Sequence, residues 1–345
     1  MKYRNLGKSE NKVSAICLGT MTFGQQNTEA EGHEQLDFAI SKGINFIDTA
    51  EMYSVPGRPE TQGSTERIIG TWLKKSNKRN DVILASKVTG PSVAMKHISD
   101  YLGFSSQRLK EAIEGSLSRL QTDYIDLYQL HWPERKTNFF GQLGYSNHDT
   151  LWQDNFEEAI ETLNIFVQQG KIRHWGLSNE NPWGVMRTCE NKKKNNLPRP
   201  LTIQNPYNLL NRTFEVGLSE ISLRENKGLM AYSPMGFGLL SGKFHKGMDT
   251  PQDRINQFKN LARYNGKRSY EATTQYIKIA EDAGISPAKL ALAFVNQRSF
   301  ITSTIIGATN MDQLKENISS IDITLSLDIL EAIDKVHNDN SNPAP

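Results

Sequence analysis

The sequence predicts an α/β protein of the (β/α)8 TIM-barrel class, and three observations support this prediction. Eight short apolar runs recur along the 345 residues, segments with a helical period lie between them, and most runs are apolar throughout instead of alternating. Strands that are buried on both faces of a parallel sheet have runs of this kind. An open doubly wound sheet is the competing architecture, but it would favour fewer strands and a glycine fingerprint.

The predicted strands are spread over most of the chain. They are residues Ala15–Gly19, Ile44–Asp48, Val82–Ser86, Tyr124–Leu130, Arg173–Leu177, Leu201–Asn205, Gly228–Tyr232 and Ser303–Gly307. Alternation of strand and helix, repeated eight times, is the pattern of a closed barrel with its helices outside.

The clearest helical stripes cover residues 109–120 and 156–167, where apolar side chains recur at i, i+3, i+4 and i+7. A shorter stripe covers residues 68–73. Ser286 followed by Pro287 is typical of an N-cap and the first position of a helix. These helices supply the outer layer that a parallel barrel needs.

Three segments exceed what a bare barrel needs. Residues 1–14 contain a Gly-Lys-Ser turn between short extended stretches and are expected to form a β-hairpin that closes the barrel floor. Residues 133–155 and 236–268 are predicted to be long loops at the carboxyl-terminal face, where barrel enzymes keep their sites. Neither a repeat nor a break in composition divides the chain, so we expect one domain over residues 1–345.

Composition excludes several classes of protein. Forty lysines and arginines against 38 acidic residues leave a net charge of +2, whereas a nucleic-acid or acidic-membrane binder needs a basic surplus. Two cysteines, Cys17 and Cys189, make no disulfide framework, and Cys17 is expected in the core. The N-terminus has no apolar signal region, no apolar run approaches a membrane span, and the seven histidines show no metal-binding spacing. We therefore expect a soluble, cytoplasmic protein with no metal.

Ionisable side chains stand at the ends of three successive strands. Asp48 ends the second strand, Lys87 follows the third, His131 follows the fourth, and Tyr53 comes five residues after Asp48. A barrel brings these ends to one mouth, where such groups are costly unless they are paired. Each residue alone also suits a structural role, but together they indicate a catalytic site.

Proton transfer to a carbonyl oxygen is the chemistry that this set suits. A tyrosine has a pKa of about 10, so alone it is a weak acid at neutral pH. The ammonium of Lys87 is expected to lower the pKa of Tyr53, while Asp48 orients the lysine. His131 is expected to donate a second hydrogen bond to the carbonyl.

Seven segments in order resemble the aldo-keto reductase superfamily. They read DTAEMY, ASKV, QLHWP, GLSN, IQNPY, AYSPMGFGLLSGK and IIGATNMDQLKENI, and the resemblance extends from LGTMTFG near residue 18 to about residue 337. Segments such as LQTDYIDLYQLHWP and FEVGLSE are similar to the bacterial Tas-like proteins in particular. The resemblance implies a barrel that binds NADP(H) without a Rossmann domain, with Asp48, Tyr53, Lys87 and His131 as a catalytic tetrad and Tyr53 as its general acid.

The resemblance also implies the cofactor-binding residues. They are Gly19, Thr20, Met21, Ser178, Asn179, Gln204, Tyr232, Ser233, Pro234, Met235, Gly236, Gly238, Leu239, Lys243, Arg254, Gly307, Thr309, Gln313, Glu316 and Asn317. In these relatives a Ser-Asn-Gln set holds the nicotinamide carboxamide, and an aromatic ring at the position of Tyr232 stacks on the nicotinamide. The segment from Ser233 follows the pyrophosphate, and Lys243 and Arg254 are candidates for phosphate contacts.

One departure from the family pattern concerns the adenosine end. Many members place an arginine where Gln313 stands, paired with the 2′-phosphate. NADP remains the expected cofactor, but Gln313 makes the expected preference for NADP over NAD smaller than it would be with an arginine. Trp132, beside His131, is expected either to line the substrate pocket or to pack under the following loop.

Three functions are compatible with these residues. The first is an NADPH-dependent carbonyl reductase, reversible as an alcohol dehydrogenase, that acts on a small carbonyl substrate as a monomer or a homo-oligomer. The second is a Schiff-base aldolase that uses Lys87 as its nucleophile. The third is a nicotinamide-nucleotide-binding regulatory subunit with slow turnover, similar to the potassium-channel β-subunits.

Overall fold

The computed structural model describes residues 1–100, 103–195, 197–257 and 263–345. Its strands are β1 (Tyr3–Asn5), β2 (Lys12–Ser14), β3 (Ile16–Gly19), β4 (Phe46–Asp48), β5 (Ile83–Val88), β6 (Ile125–Leu130), β7 (Ile172–Ser178), β8 (Thr202–Pro206), β9 (Gly228–Tyr232) and β10 (Ile301–Ile306). Strands β3 to β10 pair in sequence order, all parallel, and β10 closes the ring against β3. The (β/α)8 prediction is confirmed, and the open-sheet alternative is excluded.

Helices lie between the strands and after the last one. They are α1 (Glu29–Ser41), α2 (Ser64–Ser76), α3 (Ser106–Leu120), α4 (Phe156–Gln168), α5 (Pro182–Asn195), α6 (Leu218–Arg224), α7 (Arg254–Gln257), α8 (Lys267–Asp282), α9 (Pro287–Asn296), α10 (Met311–Ser319) and α11 (Leu327–Asp339). The predicted helix starting at Pro287 is present, because the Ser286 side chain accepts from the amide of Lys289. The main core lies between the outer faces of the strands and these helices.

The N-terminal hairpin closes one end of the barrel. Strands β1 and β2 pair antiparallel, and Leu6 and Val13 are fully buried. These two side chains share an apolar cluster with the side chains inside the barrel, which include Cys17, Phe46, Ala85, Leu127, Met230 and Ile305. Burial of these side chains removes apolar surface from water and fills the barrel from below. The hairpin expected from the sequence is therefore the floor, and the carboxyl-terminal end is the open mouth.

The two long segments at the mouth differ in structure. Residues 133–155 contain no helix or strand, as expected. The second segment was expected to be a loop, but it begins with a 3-10 helix over Gly236–Ser241 and contains α7; its residues 258–262 lie outside the described part. The C-terminal tail borders the mouth too, where the buried Ala344 donates its amide to the carbonyl of Leu210. Within the described ranges, no helix is long and apolar enough to cross a bilayer.

Candidate active site

The barrel brings Asp48, Lys87 and His131 to neighbouring strand ends. Asp48 is the last residue of β4, Lys87 stands one residue before the end of β5, and His131 directly follows β6. The amide of His131 donates to the carbonyl of Val88 at 3.1 Å, and this hydrogen bond aligns the carboxyl-terminal ends of β5 and β6. Strand register therefore determines how these three side chains meet.

Asp48 and Lys87 form a buried ion pair. The Nζ atom of Lys87 lies 2.7 Å from Oδ2 of Asp48, and it donates a second hydrogen bond of 2.7 Å to the carbonyl of Thr49. Burial disfavours the ammonium, but the attraction of Asp48 and Tyr53 outweighs it and raises the pKa of Lys87. Lys87 is therefore cationic at neutral pH, and a charged amine is a poor nucleophile for the Schiff-base alternative.

Tyr53 lies between the lysine and the histidine. The Lys87 Nζ atom is 4.9 Å from the centroid of the Tyr53 ring, and the His131 ring meets the tyrosine edge-on with centroids 5.8 Å apart. Burial raises the pKa of Tyr53, and the charge of Asp48 raises it further. The charge of Lys87 lowers this pKa, but its effect is too small to reverse the increase. The prediction that Lys87 lowers the pKa of Tyr53 is therefore wrong for the net value, because desolvation raises this pKa by more than the charge of Lys87 lowers it. Tyr53 keeps its proton at neutral pH.

His131 is buried and neutral. Burial, and secondarily the charge of Lys87, lower the pKa of His131 well below its usual value. Its Nδ1 atom is buried and has no hydrogen-bond partner among the residues that the structure describes. A buried polar atom without a partner is costly, so this ring is suited to form a hydrogen bond with a ligand.

Trp132 belongs to an aromatic wall beside these groups. Its ring centroid lies 4.9 Å from that of His131 and 5.7 Å from that of Phe140, and its Nε1 atom donates to the carbonyl of Pro91 at 3.0 Å. Trp132 and Tyr53 share one apolar cluster at the mouth. Trp132 therefore packs under the loop, and its place in the substrate pocket stays a prediction.

Gln204 connects the acid–base groups to the expected nicotinamide pocket. Its Nε2 atom donates to Oδ1 of Asp48 at 2.8 Å, and also contacts Oε1 of Gln129 at 3.3 Å. The Nε2 atom of Gln129 lies 3.4 Å from the same Asp48 oxygen. Sequence analysis missed Gln129, although it stands inside the QLHWP segment that contains His131.

Three other expected nicotinamide residues lie together at the ends of β7 and β9. Asn179 donates to the carbonyl of His131 at 2.8 Å and accepts from the Tyr232 hydroxyl at 2.6 Å. Ser178 donates to the carbonyl of Gln204 at 2.9 Å. Asn179 has a positive φ of 54°, a conformation that asparagine tolerates better than most residues. These hydrogen bonds place the side-chain amides beside the partly exposed ring of Tyr232.

The Gly19–Met21 segment supports Asp48 and Tyr53. The buried Thr20 donates both its hydroxyl and its amide to the carbonyl of Asp48, at 2.9 and 3.1 Å. The carbonyl of Met21 accepts from the amide of Val55, two residues after Tyr53. A cofactor contact for this segment stays a prediction.

The expected pyrophosphate segment follows β9 and turns tightly. Ser233, Gly236 and Gly238 all have positive φ, and the amide of Gly238 donates to the carbonyl of Met235 at 3.0 Å. Lys243 forms an ion pair with Asp253, directly before Arg254. Pro234 and the buried Leu239 complete the turn.

At the end of β10 the expected adenosine residues are close neighbours. Oε1 of Gln313 accepts from the amide and the hydroxyl of Thr309, at 3.0 and 3.1 Å. Asn317 donates to the carbonyl of Gly307 at 3.2 Å, and Glu316 accepts from the N-cap serine of α9 at 2.6 Å. Gly307 is exposed, and a side chain added there would meet nothing nearer than 4.0 Å.

These residues fit a dinucleotide. Amide and hydroxyl groups surround Tyr232 at the inner end, and open space borders Gly307 at the outer end. Lys243, paired with Asp253, and Arg254 stay predicted phosphate contacts. A partly exposed aromatic ring beside polar side chains suits a planar ring with a carboxamide.

Two buried ion pairs that sequence analysis missed hold the mouth segments. Glu51, inside the DTAEMY segment, accepts from the guanidinium of Arg108 and from the amide of Thr89 at 2.6 Å. Arg135 of the long loop binds both carboxylate oxygens of Glu180, the residue after Asn179, at 3.0 and 2.5 Å. No periodicity or spacing in the sequence indicates these partners, because each pair joins segments brought together by folding.

Comparison with known proteins agrees with this architecture. The model of the aldo/keto reductase family matches residues 15–338. Protein tas of Escherichia coli (strain K12) is 49% identical over the full length of both chains. The uncharacterized oxidoreductase YrpG of Bacillus subtilis is 32% identical over 97% of this chain and 96% of its own length. A putative voltage-gated potassium channel subunit beta of Schizosaccharomyces pombe is 29% identical over 97% of this chain and 93% of its own length.

Proposed function

This chain belongs to the aldo/keto reductase family, and on that premise we propose that it reduces aldehydes and ketones to alcohols with NADPH. Family membership makes it an oxidoreductase. The choice of NADP(H), the carbonyl class of the substrate and the role of Tyr53 as acid are parts of the proposal. The same site would run in reverse as an alcohol dehydrogenase.

One observation supports the proposal above the others: the buried Tyr53 is placed between a cationic Lys87 and a neutral His131. A protonated hydroxyl in this position can give its proton to a carbonyl oxygen. The adjacent ammonium then stabilises the phenolate that remains, and Asp48 holds that ammonium in place at 2.7 Å.

NADPH, when bound, would supply the hydride that reduces the carbonyl carbon. Tyr53 would protonate the oxygen, and His131 would hold that oxygen by a hydrogen bond. Ser178, Asn179 and Gln204 would orient the nicotinamide amide. The apolar cluster that contains Tyr53 and Trp132 would exclude water from the reacting atoms.

The nucleotide would extend from Tyr232 along the turn after β9 to the start of α10. Lys243 and Arg254 would neutralise phosphate charge, and the exposed backbone at Gly307 would admit the adenosine end. The single glutamine at position 313 leaves the preference for the 2′-phosphate weaker than an arginine would.

Nucleotide binding and turnover test the proposal together. Fluorescence titration with NADPH and NADH gives the two affinities, and aldehyde-dependent oxidation of NADPH gives the rate in wild type and Tyr53→Phe. Tyr124→Phe is the matched control, because its exposed hydroxyl contacts Asn80 at the opposite end of the barrel. We expect tight NADPH binding in all three proteins and loss of turnover in Tyr53→Phe alone. Full turnover in Tyr53→Phe would refute the proposal that Tyr53 is the general acid.

A nucleotide-binding regulatory subunit is the second candidate. It rests on the similarity to the potassium-channel β-subunit named above, at 29% identity. This function predicts tight NADPH binding with very slow turnover on every aldehyde of a broad panel. Rapid turnover by wild type would exclude it.

A further inference from the structure

Two arginines at the mouth flank one pair of aromatic rings. Phe237 and Tyr264 meet edge-to-face with centroids 5.0 Å apart. The guanidinium carbon of Arg254 lies 5.3 Å from the Phe237 centroid, and that of Arg263 lies 5.9 Å from the Tyr264 centroid. Both positive charges therefore stand on the same side of the barrel mouth.

Four carboxylates at the mouth already have cationic partners. The pairs are Asp48 with Lys87, Glu51 with Arg108, Glu180 with Arg135 and Asp253 with Lys243. Arg263 has no ion pair among the residues that the structure describes, and its Nη1 atom is buried with no hydrogen-bond partner. A guanidinium with a dry, unpaired nitrogen is unfavourable unless a ligand completes it.

Arg263 lies where three mouth segments meet. A side chain added at Gly141, in the 133–155 loop, would come within 3.7 Å of Arg263 and 3.4 Å of the C-terminal Pro345. The charge of Arg263 also opposes the burial that raises the pKa of Tyr232, which puts the guanidinium near that hydroxyl. Arg263 is thus next to both the loop and the expected nicotinamide ring.

An aromatic row connects this position to the acid–base groups. The rings of Tyr53, His131, Trp132 and Phe140 follow one another with centroids 4.9 to 5.8 Å apart. Gly141, the residue after Phe140, is the one that lies against Arg263. A substrate lying along the row with its carbonyl at Tyr53 would therefore direct its far end towards the guanidinium.

We propose that Arg263 binds an acidic group at the far end of the substrate, so that the preferred substrates are carbonyl compounds that carry a carboxylate. This inference rests on the proposed reductase function. A planar guanidinium can hold a carboxylate through two charge-assisted hydrogen bonds, which gives both affinity and orientation. Arg254 is the expected phosphate residue, whereas Arg263 lies beside the Tyr232 side chain and keeps its buried Nη1 atom for the substrate.

The test compares two substrates that differ in one charge. 4-Formylbenzoate and its methyl ester have the same aldehyde and the same aromatic ring, and only the first carries a carboxylate. Their kcat/KM values are measured with NADPH in wild type, Arg263→Met, Arg263→Lys and Arg224→Met. Arg224 is the control arginine, because it is exposed on α6 and pairs with Glu220.

We expect wild type and Arg224→Met to prefer the acid over the ester. In Arg263→Met that preference should fall about 10- to 100-fold, which is the range for loss of a hydrogen bond to a charged group. Arg263→Lys should retain part of the preference, because an ammonium keeps the charge but not the two-pronged geometry.

Two results would overturn the inference. One is a wild type that reduces the ester as well as the acid. The other is an Arg263→Met variant that loses NADPH affinity and keeps the preference for the acid, which would assign the guanidinium to the cofactor. If wild type reduces neither aldehyde and no other aldehyde of a broad panel, the reductase proposal itself fails. Calorimetric binding of 4-formylbenzoate to wild type and Arg263→Met then decides the inference, which falls if the two bind alike.

Discussion

The side-chain amide of Gln204 donates a hydrogen bond of 2.8 Å to Oδ1 of Asp48, while Lys87 uses the other carboxylate oxygen. Family resemblance places Gln204 at the nicotinamide and Asp48 in the acid–base set. The structure shows the two as one hydrogen-bonded unit across the barrel interior. A substitution of Gln204 should therefore also alter the position of Lys87, because both side chains bind the Asp48 carboxylate.

Replacing Gln204 with leucine is expected to lower the free energy of unfolding by about 1.5–3 kcal/mol, because a buried carboxylate loses its shorter amide donor. Gln129→Leu is the matched control, since its own contact to the same oxygen is 3.4 Å and should be worth less. Urea unfolding followed by tryptophan fluorescence measures both. A larger loss for Gln129→Leu would contradict the ranking.

The pH dependence of aldehyde reduction should follow the proton on Tyr53. Burial raises the pKa of this tyrosine above its ordinary value of about 10, and the acid must be protonated to work. The rate should therefore stay level between about pH 6.5 and 9 and decline only as the pH rises through that pKa. His131 adds no acidic limb in this range, because burial keeps its pKa well below the usual value.

Steady-state kcat/KM with a neutral aldehyde gives this profile. Tyr124→Phe should have the same profile as wild type, since its hydroxyl is remote from the mouth. A decline centred near pH 7 to 8 would show that Tyr53 is not the group that titrates.

The Glu51–Arg108 pair should hold the Tyr53 loop against the end of β5. Arg108→Met leaves the buried Glu51 carboxylate without its cation, and we expect it to cost about 3–5 kcal/mol of unfolding free energy. The double variant Glu51→Gln/Arg108→Met should recover part of this loss, because no charge is then left buried. Denaturant unfolding of the two single variants and the double variant completes the cycle. Strictly additive losses would exclude a direct coupling.

Gln313→Arg should strengthen NADPH binding about 5- to 20-fold. An arginine here would place a guanidinium at the start of α10, where the resemblance expects the 2′-phosphate, and such pairs are charge-assisted. The affinity for NADH, which lacks that phosphate, should be unchanged. Fluorescence titration with both nucleotides measures the ratio, and an equal gain for NADH would locate the phosphate elsewhere.

Sequence reasoning located the strands well and their limits less well. All eight barrel strands overlap the apolar runs, because a strand buried on both faces must be apolar along most of its length. The predicted third strand ended at Ser86, whereas β5 continues through Lys87 to Val88. The charge of Lys87 is neutralised inside the barrel by Asp48 on the neighbouring strand, the partner that the sequence analysis expected, and the strand continues although its run is no longer apolar.

The second mouth segment shows a different limit. Glycine and polar residues over 236–268 predicted a loop, but a 3-10 helix and the four-residue α7 form within it. Phe237 and Gly238 both have positive φ inside that turn, and the ring of Phe237 packs against that of Tyr264. A turn of this kind leaves no periodic pattern in the sequence.

The sequence by itself determined the barrel class, the hairpin floor and the strand ends that hold Asp48, Lys87 and His131, because burial and periodicity act locally and leave a repeating pattern. Apart from the expected pairing of Asp48 with Lys87, only the tertiary structure decided which charges meet. It paired Glu51 with Arg108 and Glu180 with Arg135, left Arg263 without an anion among the described residues, and raised the pKa of Tyr53. Desolvation and ion pairing depend on atoms that are distant along the chain, and those distances exist only after the barrel has closed.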